Sequence, residues 1–327
     1  MKKVIRLFSV LLCVSLLALG LVGCGETDGG KTFKIGIIQY MSHPSLDNCY
    51  TGIIQGLDAS GIAYTAERQI GSAASAAADC TAFAQNMVAQ GCDMIIAIAT
   101  PAATTAFAAV QGTDIPLIFC SVSDAVKAEL VVSNEAPGKA CTGTSDRQSQ
   151  EAQLAMIRAL QPALKTLGVL YTTSEQNSIA ALETLQAVCT AQGVKLEASG
   201  VQNASDIPAA ATALAGKVEA ITNFTDNNVV ENLSVVLDAA NAAGIPVYGS
   251  EIEQVKLGCV GSESIDYVAV GRTTGDMAAK VLGGVDPSAL PVAIVTDSTP
   301  VFNSDVLAKL GLTVPATYAN AEMVTTG

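Results

Sequence analysis

The sequence predicts an α/β protein built as two doubly wound parallel-sheet lobes joined by a multi-strand hinge. Two observations carry this expectation. Short apolar runs alternate with alanine-rich helical patterns along most of the chain, and the second half repeats the strand pattern of the first.

The strand-like runs fall at 33–39, 62–67, 94–99, 117–120, 167–171, 196–201, 220–224 and 247–249. Helical patterns lie between them at 45–57, 74–90, 151–160, 179–192 and 229–243. Strand alternating with helix implies parallel sheets with helices on both faces. The repeat is visible in matched strands. Lys34-Ile-Gly-Ile-Ile-Gln-Tyr40 answers Thr166-Leu-Gly-Val-Leu-Tyr171, and Asp93-Met-Ile-Ile answers Glu219-Ala-Ile-Thr. Ile115-Pro-Leu-Ile answers Ile245-Pro-Val-Tyr. The matched residues Gly36/Gly168, Asp93/Glu219 and Ile115/Ile245 are 132, 126 and 130 positions apart, near-constant spacing that suggests two similarly wired lobes.

After Glu251 the pattern changes. A helix over 267–282 ends at Gly283-Gly284, an extended stretch follows near 292–295, and a short helix over 304–310 stops at Gly311. This reads as the chain recrossing between lobes. The first lobe is expected at 32–145 plus 262–291, and the second at 146–261 plus 292–327. Several crossovers make a hinge in which small φ/ψ changes swing whole lobes.

The N-terminus has its own logic. Lys2, Lys3 and Arg6 precede an apolar run over 7–22, which is short for a stable membrane span. Leu21-Val22-Gly23-Cys24 looks like a bacterial lipobox. A lipoprotein signal peptide is therefore expected over 1–23, with Cys24 as the acylated residue. The polar, glycine-rich stretch 24–31 suits a flexible tether. The expected location is the extracytoplasmic face of the cell membrane, held there by the lipid.

Composition narrows the function classes. The formal charge is −13, and about −16 once Lys2, Lys3 and Arg6 are removed. So acidic a surface argues against nucleic acid, because phosphate neutralisation needs Lys and Arg. Of nine cysteines, seven remain when Cys13 and Cys24 are set aside. An odd number cannot pair completely within one chain. Buried, unreactive thiols are expected.

In open parallel sheets the ligand crevice lies beyond the carboxyl ends of the strands. Polar residues gather at six such ends. Tyr40 to Ser45, Thr100 to Ala103 and Ser121 to Asp124 fall in the first half. Tyr171 to Ser178, Thr225 to Asn228 and Ser250-Glu251 fall in the second. Thr100 before Pro101 reads as a helix N-cap, and Asn177-Ser178 makes the same offer from the other lobe. Helix N-termini present N–H groups and partial positive charge to a carboxylate. Asp226 directly follows an apolar strand, so its carboxylate is expected to face the cleft and meet a ligand ammonium group. The bland alternative is that Thr100, Ser178 and Asp226 only cap their own helices. Tyr40 either stacks on a ligand or closes the core. His43, the only histidine, is expected to line or flank the cleft rather than bind metal.

These segments resemble a known family. Gln39-Tyr-Met-Ser-His-Pro-Ser-Leu-Asp47, Ala97-Ile-Ala-Thr-Pro-Ala-Ala103, Phe119-Cys-Ser-Val-Ser-Asp124 and Thr142-Gly-Thr-Ser-Asp146 carry the resemblance. So do Leu170 to Ser178, Thr225 to Asn228 and Asp266 to Arg272. They look like ABC-transporter substrate-binding proteins of the tryptophan/tyrosine-type uptake family. The resemblance implies a type I periplasmic-binding-protein fold and capture of a small zwitterion, an amino acid and an aromatic one among the options, by lobe closure. It carries ligand contacts onto Tyr40, Ser45, Thr100, Ala102, Ser121, Ser123, Asn177, Ser178, Asp226 and Glu251. The family usually has proline where Ala125 stands, so that loop is less rigid here. The implied partners are the small-molecule ligand, ABC permease subunits and, through the lipid, the membrane. A monomer without cofactor, metal or catalytic residue is expected.

Two alternatives use the same fold or compartment. One is a sensing subunit that presents ligand to a membrane kinase. The other is a cell-surface enzyme, against which the chain lacks a Gly-x-Ser-x-Gly elbow, a Walker A loop set between a strand and a helix, a dinucleotide glycine fingerprint and histidine-rich metal spacing.

Overall fold

Apolar runs too short for helices and buried on both faces become the central strands. β3 (Met94–Ile98) is buried at every residue, as a strand covered by helices on both sides must be. It belongs to a six-stranded sheet with β1 (Phe33–Gln39), β2 (Tyr64–Ile70), β4 (Leu117–Cys120), β5 (Cys141–Ser145) and β11 (Ala293–Ile294). The order is β11-β5-β4-β3-β1-β2, and every pairing is parallel. The computed structural model describes residues 31–327. The expected signal peptide, Cys24 and the tether up to Gly30 lie outside the described residues.

Helices α1 (Pro44–Ser60), α2 (Ala76–Ala89) and α3 (Thr100–Val110) connect successive strands of this sheet. The second lobe repeats the scheme. β6 (Thr166–Thr172), β7 (Lys195–Val201), β8 (Ala220–Thr222) and β9 (Val247–Tyr248) form a parallel sheet of order β7-β6-β8-β9. Around it stand α4 (Gln150–Leu160), α5 (Gln176–Ala191), α6 (Ile207–Ala215), α7 (Asn227–Glu231), α8 (Leu233–Ala243) and α9 (Ile252–Leu257). The helix expected over 229–243 is broken at Asn232, whose Nδ2 donates to the carbonyl of Asn228 at 2.8 Å.

Both sheets reverse their strand order between the first and third strands, β1/β3 in one and β6/β8 in the other. Such a reversal opens a crevice at the strand carboxyl ends. The site lies where the two crevices meet.

A third, three-stranded sheet joins β10 (Gly261–Ser264), β12 (Thr299–Asn303) and β13 (Glu322–Val324), followed through β12 by α11 (Ser304–Leu310). Its Val260, Phe302 and Leu307 pack in the core of the second lobe. The chain passes between lobes three times, after β5, after β10 and after β11. The expected crossings at 261/262 and 291/292 fall slightly early. Residues 261–264 pair with β12, and Ala293 and Ile294 pair with Thr144 and Ser145 of the first sheet.

After β10, α10 (Tyr267–Leu282) returns to the first lobe and lies along α1. The contact is backbone to backbone. A Cβ on Gly52 would overlap the carbonyl oxygen of Val268, and one on Gly271 would overlap that of Cys49. Gly56 and Gly275 repeat the approach one turn further on. Any side chain here has only main chain to displace.

The first lobe has one large apolar core, and the second has one core on each face of its sheet. All seven cysteines among the described residues are buried free thiols. Among the described residues, no helix is long and apolar enough to cross a membrane.

Candidate functional site

Between the lobes lies a narrow polar cavity of about 20 Å³, room for about one water molecule. Its walls come from the strand ends that the sequence singles out. The first lobe contributes His43, Ser45, Thr100, Ser121 and Ser123, together with Asp146 and Tyr267. The second contributes Asn177, Thr225, Asn227, Glu251 and Gln254. Apolar contact comes from Leu46, Ala99 and Val230. Among the described residues, no lysine or arginine lines it.

Six of the ten expected ligand residues are on this wall: Ser45, Thr100, Ser121, Ser123, Asn177 and Glu251. Tyr40, Ala102, Ser178 and Asp226 are buried but do not line it. Tyr40 sits behind the wall, where burial and the carboxylates of Glu175 and Asp226 push its phenol up. Ala102 is packed inside α3.

Asp226 requires a correction. Its carboxylate was expected to face the cleft, but four donors hold it inside the second lobe. Thr172 gives its backbone N–H at 2.5 Å and its hydroxyl at 2.8 Å. Ser178 Oγ donates at 2.7 Å, and Val229 N–H donates at 3.0 Å as the capping bond of α7. An acceptor so occupied has little left for a ligand. The capping alternative describes Asp226, and Ser178 serves as one of its donors.

Thr100 departs from expectation in another way. Ala99 is the N-cap of α3, and Thr100 is already the first helical residue. Ala99 has φ 81° and ψ 151°, a conformation reserved almost entirely for glycine, and Ser121 has φ 58°. Each such residue stores about 1–3 kcal/mol of strain. Both line the cavity, so the strain sits where backbone is aimed into the site. The Thr100 hydroxyl is buried without a partner, as are Nδ1 of His43 and Oδ1 of Asn177. Unpartnered buried polar atoms are uncommon in folded proteins. Here three belong to residues of one wall.

Two carboxylates line the cavity. Asp146, barely expected from sequence, follows β5. It accepts from Ser121 Oγ at 2.6 Å, from Ser123 Oγ at 3.1 Å and from Tyr267 OH at 2.9 Å. Burial, then the neighbouring Asp146, pushes the Tyr267 phenol well up, so it stays a donor. Glu251 caps α9, accepting from Glu253 N–H at 2.7 Å and Gln254 N–H at 2.9 Å. Burial raises its pKa to about 7, against the opposing pull of those donors and of the Ser45 hydroxyl.

A third carboxylate, Glu175, stands behind the second-lobe wall. It accepts from side-chain amides of Asn177 and Asn227 and from the backbone of residues 227 and 228. Burial, with Asp226 close by, lifts its pKa to about 8. The lobes touch here, where His43 Nε2 lies 3.3 Å from Asn227 Oδ1. Outside the cavity, exposed Lys127 reaches Glu183 on α5 at 2.5 Å.

Two doubly wound lobes, three crossings and a polar cavity between them define a ligand-binding protein of the type I periplasmic-binding-protein fold. The family model for ABC transporter substrate binding proteins matches residues 34–322, and the chain belongs to that family. A tyrosine-binding protein of Clostridioides difficile is 33% identical over 289 residues, covering 88% of this chain and 83% of its own. Among solved structures, an ABC domain from Streptococcus pneumonia in complex with L-Trp is 31% identical. It superposes with a TM-score of 0.85, over 90% of this chain and all of its own. The ligand-free, open structure of a substrate binding protein with adhesive properties from Clostridium difficile is 33% identical. It superposes at 0.69, again over 90% of this chain and all of its own.

Proposed function

We propose that this protein captures an aromatic amino acid in zwitterionic form by closing two lobes on it, and delivers it to an ABC importer. The observation that carries this reading is the cavity wall itself. It presents buried carboxylates without a lysine or arginine beside them, and three unpartnered polar atoms. Uncompensated buried charge is costly unless something pairs with it. A ligand ammonium supplies the pair at Asp146, with Glu251 close enough to share the field. The first turn of α3 and the Thr100 hydroxyl suit the ligand carboxylate. Leu46, Val230 and the ring of Tyr267 offer apolar contact to a side chain. The L-Trp bound to the pneumococcal relative and the tyrosine named for the Clostridioides relative support the ligand class.

The two superpositions support closure as the capturing step. The chain matches the L-Trp complex better than the open, ligand-free relative. Its lobes already meet through His43 and Asn227. The crossings at 146–149, 265–266 and 295–298 would serve as the hinge.

A thermal-shift screen of the mature protein tests the ligand class. L-tyrosine or L-tryptophan at about 100 times Kd should stabilise the fold by about 2.7 kcal/mol, a rise of a few degrees in Tm. Sugars should leave Tm unchanged. Stabilisation by sugars alone sinks the zwitterion reading.

We further propose that Cys24 carries a lipid that holds the protein on the outer face of the cell membrane. The motif Leu21-Val22-Gly23-Cys24 supports this. Cys24→Ser should move the protein from the membrane fraction to the medium or the soluble periplasmic fraction. Retention in the membrane by the variant removes the lipid from the account.

A further inference from the structure

We infer that Glu175 fixes one end of the cavity as a pair of hydrogen-bond acceptors, so that the site selects ligands whose side chain carries an O–H or N–H donor. The inference rests on the amino-acid reading above and deepens it.

The argument begins at Glu175 Oε2. Three N–H groups point at this one oxygen: Asn227 Nδ2 at 2.6 Å, Asn227 backbone N at 3.1 Å and Asn177 Nδ2 at 3.1 Å. The other oxygen, Oε1, takes only the Asn228 backbone N–H at 3.3 Å. A proton on the carboxyl group therefore belongs on Oε1, and Oε2 remains an acceptor in either protonation state. Asn177 is oriented independently, because its Nδ2 also faces the Thr225 carbonyl, which can only accept. With that N–H and the Asn227 backbone N–H already on Oε2, the Asn227 amide must present its Nδ2 there too.

Two consequences follow. Asn177 directs its Nδ2 to Glu175 and to the Thr225 carbonyl at 2.9 Å, which leaves Oδ1 on the other side without a partner. Asn227 directs Oδ1 toward His43 Nε2 at 3.3 Å. Nε2 must then carry the hydrogen, and His43 Nδ1 is left as a bare lone pair. It is buried and has no partner. Burial holds the imidazole pKa down to about 4, so the ring stays neutral and Nδ1 stays an acceptor.

Asn177 and His43 both line the cavity, one from each lobe. What they present is acceptor capacity alone. The ligand ammonium has Asp146 and Glu251 to meet, so a second donor from the ligand is what this end lacks. A phenol O–H or an indole N–H provides one, and a plain phenyl ring does not. A site built around a donor rejects the analogue that lacks it, because its own polar groups are then left unpaired. Glu175 acts through the two asparagines and is a positioning residue.

The single histidine makes this testable without ambiguity. Nitrogen NMR of ¹⁵N-histidine-labelled protein, free of ligand, should show Nε2 protonated and Nδ1 bare. L-tyrosine should shift the Nδ1 resonance in the direction of an accepted hydrogen bond. In calorimetric titrations, L-phenylalanine and O-methyl-L-tyrosine should bind about 10- to 100-fold more weakly than L-tyrosine. In His43→Phe that ratio should fall toward one, and in Glu175→Leu the tautomer should no longer be fixed. A free protein with the proton on Nδ1, or phenylalanine binding as tightly as tyrosine, overturns the inference. Failure of every amino acid to bind overturns the ligand class instead. The tautomer in the free protein still tests the acceptor assignment in that case.

Discussion

Asp146→Asn should weaken binding of the aromatic amino acid by about 2–5 kcal/mol, or about 30-fold to several thousand-fold in Kd. Isothermal titration of the purified variant measures it. The reasoning is local. Asp146 is buried, lines the cavity and accepts hydroxyl donors from Ser121, Ser123 and Tyr267. Those donors fix the carboxylate in place but bring no positive charge. The ammonium of the ligand is the charge that completes the arrangement. Asparagine keeps the shape and one acceptor oxygen, so Tm of the free variant should stay close to that of wild type. Asp226→Asn is the contrasting variant. Because Asp226 is enclosed by Thr172, Ser178 and Val229, its loss should lower stability rather than ligand selectivity. A variant at Asp146 that binds as well as wild type removes that residue from the ammonium site.

Raising the pH from 6.5 to 8 should destabilise the ligand-free protein by about 2 kcal/mol. Glu251 and Glu175 have pKa values near 7 and 8 in the folded chain, mainly through burial, against an ordinary 4.5. Above pH 4.5 the unfolded chain has lost protons that the folded chain still holds. Stability from these groups is complete below that point and falls as pH rises through 7 and 8. His43 acts in the opposite direction. Its folded pKa near 4 lies below the ordinary 6.5, so its contribution is complete above 6.5 and is lost as pH falls toward 4. Between 6.5 and 8 the two glutamates dominate, because the buried thiols begin to differ from the unfolded chain only as pH approaches 9. Chemical denaturation at several pH values should show the decline, and Glu251→Gln should remove about a third of it. A flat profile over this window means that neither carboxyl group is held protonated by burial.

Much of this architecture can be read in the chain itself. β1 and α10 fall on their expected residues because their patterns have clean edges: the run Ile35-Gly-Ile-Ile38 between Lys34 and Gln39 in β1, and Gly283-Gly284 after α10. The cleft loops were legible because polarity changes abruptly at strand ends. β5 was not. It reads Cys-Thr-Gly-Thr-Ser, with no apolar alternation, yet every residue is buried. Its hydroxyls are held by specific partners, as in Thr142 to Leu290 O and Thr144 to Thr274. Without that strand, Asp146 had no visible place at the site. The direction of Asp226 was equally hidden. One bond of its cage is local, from Val229, but three come from Thr172 and Ser178, some fifty residues earlier. Which of two faces a carboxylate takes depends on such distant donors, and residue type alone does not encode it.

The glycine-lined contact between α1 and α10 bears on the order in which the molecule can assemble. Gly52 and Gly271 meet across 219 positions of sequence, with the whole parallel sheet of the second lobe in between. The first lobe therefore remains unfinished until the chain has been made to about residue 295, where β11 joins its sheet. Closing so long a loop comes late, because its entropy must be overcome before the contact returns anything. Folding rates fall as contacts become more distant in sequence. A nascent chain holding only the first 145 residues has five of its six strands but lacks β11 and the helix that covers α1. The geometry of one close helix pair thus delays the native state until synthesis is nearly done.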